Sequence, residues 1–184
     1  GNILRELSDI KLPPNEDVID INQVVSDVVS FFHKTKFAQP SVHIKTRLQK
    51  GTFKIKADSD SIKQILFNLI KNSAEAIRES GEIVLATSGA INRNGRLYCA
   101  LTVQDSGPGI APEILTKLFS PVQTTKAGDH MGLGLSIVHE LVQKLDGVVT
   151  CRSSDEGTIF EILLPIFDKA DQTQSGLSHL RIPV

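Results

Sequence analysis

The sequence holds little cysteine and no excess of either charge. Its 184 residues include two cysteines, Cys99 and Cys151, far apart and without a Cys-x-x-Cys spacing, which argues against a zinc site and a disulfide framework. Two reduced, packed thiols in a cytosolic domain are the reading that remains. Lys and Arg number 20 against 21 Asp and Glu, so no general field draws the chain to nucleic acid or to a membrane surface. No apolar run reaches the roughly 20 residues that a spanning helix needs, and the first residues lack the charged-then-apolar layout of a signal peptide. The expectation is a cytoplasmic fragment that contacts neither nucleic acid nor membrane, whether or not a longer parent is membrane-anchored. Absent too are a Gly-x-x-x-x-Gly-Lys P-loop and the Asp-Phe-Gly and His-Arg-Asp signatures, which excludes those phosphate-handling machineries.

What is present is enough for one domain with a proper core, at 40% apolar residues. Asn2 to Ile10 carries apolar residues at helical spacing and stops at Pro13-Pro14. Asp20 and Gln23 resemble a capping box opening a second helix that ends near Lys34. Val42 to Leu48 and Phe53 to Ala57 alternate around Lys50-Gly51 and predict an antiparallel hairpin. A long helix is predicted from Ser59 to Glu79, and strands from Ile83 to Ser88 and Leu97 to Gln104 around Asn94-Gly95. A short helix over Glu113 to Phe119 and a helix over Leu133 to Asp146 follow, then strands over Val148 to Ser153 and Thr158 to Leu164. The stretch from Asp168 to Ser178 is polar and reads as a mobile tail. Hairpins and helical crossovers together call for a mixed sheet with helices on one face.

Three local features suggest chemistry. On the long helix, Asn68, Asn72 and Glu75 stack on the side opposite Ile62, Ile65, Leu66, Leu69, Ile70, Ser73, Ala76 and Ile77. A solvated face would explain them, yet asparagine is a poor helix former, and a carboxamide oxygen is a hard ligand suited to Mg²⁺. Next, Val103 to Ile110 runs a strand into Asp105, Gly107 and Gly109. This is a plain turn, or an aspartate fixed to accept from an exocyclic amine. A dinucleotide-binding reading fails because Pro112 stands where a third glycine belongs. Finally, Lys126, Gly128 and Gly132-Leu133-Gly134 precede or open a helix, which is either a tight junction or a phosphate-binding helix N-terminus.

In order, Asn68-Leu-Ile-Lys-Asn72-Ser-Ala-Glu75-Ala, Asp105-Ser-Gly107-Pro-Gly109, Leu118-Phe119-Ser-Pro-Val-Gln-Thr124-Thr125-Lys126, Gly132-Leu-Gly134-Leu-Ser and Gly157-Thr158-Ile-Phe160 closely resemble the N, G1, F, G2 and G3 boxes of histidine kinases, especially the nitrogen-regulator type. The resemblance runs from about Asp20 to Pro165. It implies the Bergerat fold shared with gyrase, Hsp90 and MutL: an α/β, or α+β, two-layer sandwich whose mixed, mostly antiparallel sheet is backed by three helices. It implies ATP and Mg²⁺ as cofactors. Asn72 would coordinate the metal, Asn68 would assist at the phosphates, and Asp105 would bond the adenine amine. Gly107 and Gly109 would shape that pocket, with Thr158 supporting it through its hydroxyl. Residues from Ser120 to Met131 would form a lid that brings Thr125 and Lys126 to the phosphates, Phe119 packing or hinging it. Gly132, Leu133 and Gly134 would open the helix that meets them. In one departure, His130 stands where the family often has glycine.

The implied layout is the end of a phosphoacceptor hairpin over 1–12, a linker over 13–19, the catalytic domain over 20–166 and a tail over 167–184. Gyrase-like hydrolases carry a glutamate as general base four residues before the metal asparagine, where this chain has Asn68. The leading expectation is therefore a protein-histidine kinase fragment, with Asn68, Asn72 and Lys126 in catalysis and the acceptor histidine on a missing domain. Its implied partners are that hairpin domain, in a homodimeric parent, and a response regulator. A non-catalytic ATP-sensing module and, less favoured, a gyrase-type hydrolase are the alternatives.

Overall fold

The computed structural model describes residues 17–34, 41–119 and 131–167. Seven strands and four helices follow one another as β1 (Asp17–Asp20), α1 (Ile21–Lys34), β2 (Val42–Leu48), β3 (Lys54–Ala57), α2 (Ser59–Ala76), β4 (Gly81–Arg93), β5 (Arg96–Asp105), α3 (Pro112–Leu115), α4 (Met131–Lys144), β6 (Val148–Ser154) and β7 (Gly157–Pro165). The predicted helix over Asn2 to Ile10, the predicted lid over Ser120 to Met131 apart from Met131, which opens α4, and the tail from Asp168 lie outside the described residues.

A five-stranded sheet runs in the order β2-β4-β5-β7-β6, with β2 and β4 parallel and the other pairs antiparallel. Its register explains the two layers. Leu85 pairs with Val103, Val103 with Phe160, Leu101 with Ile162 and Cys99 with Leu164, so these alternate residues point to one face. All are buried there. The longer helices α1, α2 and α4 place their apolar stripes in the same core, each buried aliphatic side chain contributing about 1.5 to 3 kcal/mol.

The hairpin expected from Val42 to Ala57 does not form. Instead β3 pairs antiparallel with β1 in a separate two-stranded sheet, and β2 joins β4 in parallel. Parallel neighbours need a crossover, which β3 and α2 supply. Asp17 to Ile19, within the stretch expected as a linker, belong to β1 and pair with Ala57 to Ile55 of β3, and Ile21 N–H bonds Phe53 C=O at 3.0 Å just beyond it.

Local chemistry sets the other boundaries. Asp20 caps α1 by accepting from Asn22 N–H at 3.0 Å. Gln23 bonds Asp27 instead of reaching back, so the capping box is half made. Asp58 caps α2, accepting from Asp60 N–H at 3.1 Å and Ser61 Oγ at 3.2 Å. Helix α3 is shorter than predicted, because after Leu115 the chain tightens into three-residue turns, with Lys117 N–H to Ile114 C=O at 3.0 Å. Helix α4 ends in a Schellman motif: Gly147 N–H bonds Val142 C=O at 2.9 Å and Asp146 adopts φ 53°. Its buried stripe is Leu135, Val138 and Val142, with Leu141 and Leu145 packed at the edge.

Candidate functional site

Helices α2 and α4 pack against each other, and the end of β5 lies against α2. The sequence dictates that meeting through a missing side chain. A Cβ built on Gly134 would lie 3.2 Å from Asn68 Oδ1 and 3.7 Å from Asn72 Nδ2, so glycine lets α4 approach both asparagines. Asn68 is held from behind, its Nδ2 donating to Gln64 C=O at 3.0 Å. Asn72 Nδ2 is buried and has no hydrogen-bond partner among the described residues, an uncommon and costly arrangement for an amide. These asparagines are therefore not a simple solvated face, whereas Lys71 and Glu75 beside them are exposed and 3.7 Å apart.

Asp105 closes β5 and is 4% exposed. Its Oδ1 accepts from Gly107 N–H at 2.9 Å and from Thr158 N–H at 3.3 Å, and its Oδ2 accepts from Ser73 Oγ at 2.9 Å. Three elements, α2, the loop after β5 and β7, thus converge on one carboxylate. Two glycines permit this. Gly157 has φ 137°, and a Cβ there would fall 1.9 Å from Asp105 C=O. Gly109 has φ 79°, and its Cβ would fall 2.1 Å from Ser154 C=O. The loop is further held where Ile110 N–H bonds Ser153 Oγ at 2.8 Å, and that oxygen lies 3.0 Å from Thr158 Oγ1, so the Thr158 hydroxyl expected at the pocket meets Ser153 while its backbone N–H meets Asp105.

Burial pushes the Cys151 thiol up to about 11, with the Asp105 carboxylate adding to the rise. Burial alone drives Cys99 to about the same value. Both cysteines are free, as the sequence led us to expect, and both are poor nucleophiles at neutral pH.

The structure thus brings together Asn68, Asn72, Asp105, Gly107, Gly109, Gly134 and Thr158. Gly132 and Leu133 lie in the first turn of α4. Phe119, in the turn after α3, stacks on His139 of α4 with centroids 5.5 Å apart and planes at 23°. Thr125 and Lys126 lie outside the described residues. Two side chains in this network escaped the sequence reading. Ser73 was counted with the apolar side of its helix, and the only signal was a hydroxyl in an otherwise aliphatic stripe. Ser153 gave none, since it sits in an alternating strand like any edge serine.

A sheet backed by helices, with a buried carboxylate at a strand end and two asparagines beside the opening of α4, fits a nucleotide-binding ATPase domain. Residues 57–168 match the family described as histidine kinase-, DNA gyrase B- and HSP90-like ATPase, and the chain belongs to that family. Within it, the chain corresponds to the ATP-binding catalytic domain of two-component sensor histidine kinases. It is 36% identical to the sensory histidine kinase/phosphatase NtrB of Rhizobium meliloti over 154 residues, covering 77% of this chain and 39% of that protein. To the sensor histidine kinase ZraS of Salmonella typhi it is 28% identical over 169 residues, covering 90% and 35%. The chain therefore spans less than half of either relative. The catalytic domain of histidine kinase ThkA superimposes with a TM-score of 0.69 at 26% identity, covering 83% of this chain and 96% of that one. The fold expected from the sequence, a mixed and mostly antiparallel sheet with helices packed on it, agrees with that structure. Among the described residues, no helix is long and apolar enough to cross a membrane.

Proposed function

We propose that this chain binds ATP with Mg²⁺ and presents the γ-phosphate to a histidine on a separate helical domain of its parent protein. The observation that carries the reading is the buried, unpartnered amide of Asn72, set beside Asn68 and Gly134 at the opening of α4. An orphaned amide at a helix N-terminal turn suits phosphate and its cation. Its nitrogen can donate to a phosphate oxygen, and with the amide turned over its oxygen is a hard ligand for Mg²⁺. Bound Mg²⁺ would supply neutralisation of charge that develops on the transferring phosphoryl group.

The protein's own residues divide the remaining work. Asn72 would hold the metal and Asn68 would orient the phosphates. The opening turn of α4, with Gly132, Leu133 and Gly134, would offer backbone N–H groups and its positive dipole end. Asp105 would accept from the adenine amine, with Gly107, Gly109 and Thr158 supporting it. Thr125 and Lys126 would reach the phosphates from the segment that follows Phe119. Catalysis would rest on positioning and electrostatics.

Asn68 favours transfer over hydrolysis, because a carboxamide cannot take a proton from water as a glutamate would. The implied partners are the acceptor hairpin of a dimeric parent and a response regulator. The reading is tested by incubating the chain with γ-labelled ATP, Mg²⁺ and the purified hairpin domain of its parent. Acid-labile label on the hairpin histidine is expected. Tight ATP binding without transfer would leave the non-catalytic sensing module, and rapid multiple-turnover hydrolysis would instead support the gyrase-like alternative.

A further inference from the structure

Ser73 occupies an unusual place for a helical serine. Mid-helix hydroxyls commonly bond the carbonyl four residues earlier or face solvent. Ser73 does neither: it is 1% exposed, and its Oγ leaves the helix to donate to Asp105 Oδ2 at 2.9 Å. The distribution of donors over the carboxylate gives that contact a consequence. Each carboxylate oxygen has two lone-pair sites. On Oδ1 both are used, by the N–H groups of Gly107 and Thr158. Among the described residues Oδ2 accepts from Ser73 only, so one site on that oxygen is left for a ligand.

From this we infer that Ser73 is the positioning residue that gives the site its preference for an exocyclic amine. It shares the ligand's oxygen. Its donation occupies one lone pair of Oδ2 and directs the other, while the two backbone donors prevent the carboxylate from turning to present Oδ1. A serine at this point thus links the buried face of α2 to base recognition, and specificity is built into the same helix that carries Asn68 and Asn72. The inference rests on Asp105 as the amine acceptor, and its test separates the two claims.

The experiment compares two nucleotides by calorimetric titration in the presence of Mg²⁺: ATP, and purine riboside triphosphate, which lacks only the 6-amino group. The parent chain should bind ATP more tightly. Ser73→Ala should lose about tenfold in ATP affinity with little change for the amine-free nucleotide, as expected for loss of one charge-assisted hydrogen bond. Ser73→Cys, which keeps the size and weakens the donor, should fall between them, and Ser73→Thr, which keeps a hydroxyl, should restore much of the preference. Equal losses for both nucleotides in Ser73→Ala and Ser73→Cys would reduce Ser73 to a packing residue and overturn the inference. So would an unchanged ratio. If the parent chain itself bound the two nucleotides equally, the fault would lie with Asp105 as amine acceptor, and the role of Ser73 would fall with it.

Discussion

Asn72 and Asp105 differ in what the protein itself gives them, and that difference separates their mutants. Among the described residues the Asn72 amide nitrogen has no partner, so Asn72→Ala removes no hydrogen bond from that nitrogen. Stability should stay within about 0.5 kcal/mol of the parent, while Mg²⁺-dependent ATP affinity falls by at least about tenfold. Unchanged affinity in a calorimetric titration would end its assignment as a ligand. Asp105 instead receives donors from Ser73, Gly107 and Thr158. In Asp105→Ala all three donors lose their acceptor, so both stability and ATP affinity should drop, stability by about 1 to 3 kcal/mol. Denaturant midpoints measured beside the titrations check this, and a mutant as stable as the parent would show that the carboxylate network is not intact in solution. Asn68, Asn72 and Asp105 were legible in the sequence because each breaks a local habit: a poor helix former on a helical stripe, or an acid at a strand end before two glycines. Ser73 was not legible, because a small hydroxyl within an apolar stripe looks like filler until its partner, 32 positions away, is known.

At the scale of elements, the site depends on how closely the loop after β5 approaches the β6–β7 turn. Gly157 controls that approach twice, by a φ of 137° and by the absence of a Cβ that would fall 1.9 Å from Asp105 C=O. Neither contact can relax through a flexible side chain, since the obstacle is backbone. Gly157→Ala should therefore cost about 2 to 4 kcal/mol and weaken nucleotide binding by displacing Asp105. Gly51→Ala makes the control: its φ of 118° is nearer that of Gly157, but nothing lies within 4 Å of its new methyl, so it should cost only about 1 to 2 kcal/mol and leave binding alone. Equal costs in thermal unfolding would refute a role for close approach. The same scale shows why one element was misread. Val42 to Leu48 and Lys54 to Ala57 do form strands, but alternation reports a half-covered strand and carries no information on its partner. Pairing of β2 with β4 and of β3 with β1 is decided by the α2 crossover and by contacts across the core. The Asn94-Gly95 hairpin was legible because its turn needs two positive φ values, and Asn94 and Gly95 adopt 50° and 83°.

For the molecule as a whole, the question is where the phosphoryl group goes. Nothing about the site supplies an acceptor among the described residues: His33 closes α1, His43 is exposed on the edge strand β2, and His139 is stacked against Phe119. A ring stacked at 5.5 Å is engaged with its neighbour instead of being presented to a nucleotide. None of the five histidines, His130 and His179 included, is followed by Glu or Asp and then Pro; only His139 precedes an acid, Glu140, and it lies inside α4. Under the proposed function the domain would hold a phosphoryl donor and meet its acceptor on another domain. Incubated with γ-labelled ATP and Mg²⁺, the chain alone should therefore acquire no stable label, although it binds the nucleotide. Adding the hairpin domain of the parent should give labelling that rises with hairpin concentration, because the two parts must collide before transfer. His139→Gln should not change that rate by more than about twofold if its ring only packs on Phe119. Stable self-labelling that disappears in His139→Gln would place the acceptor inside this domain and overturn the division of labour argued above.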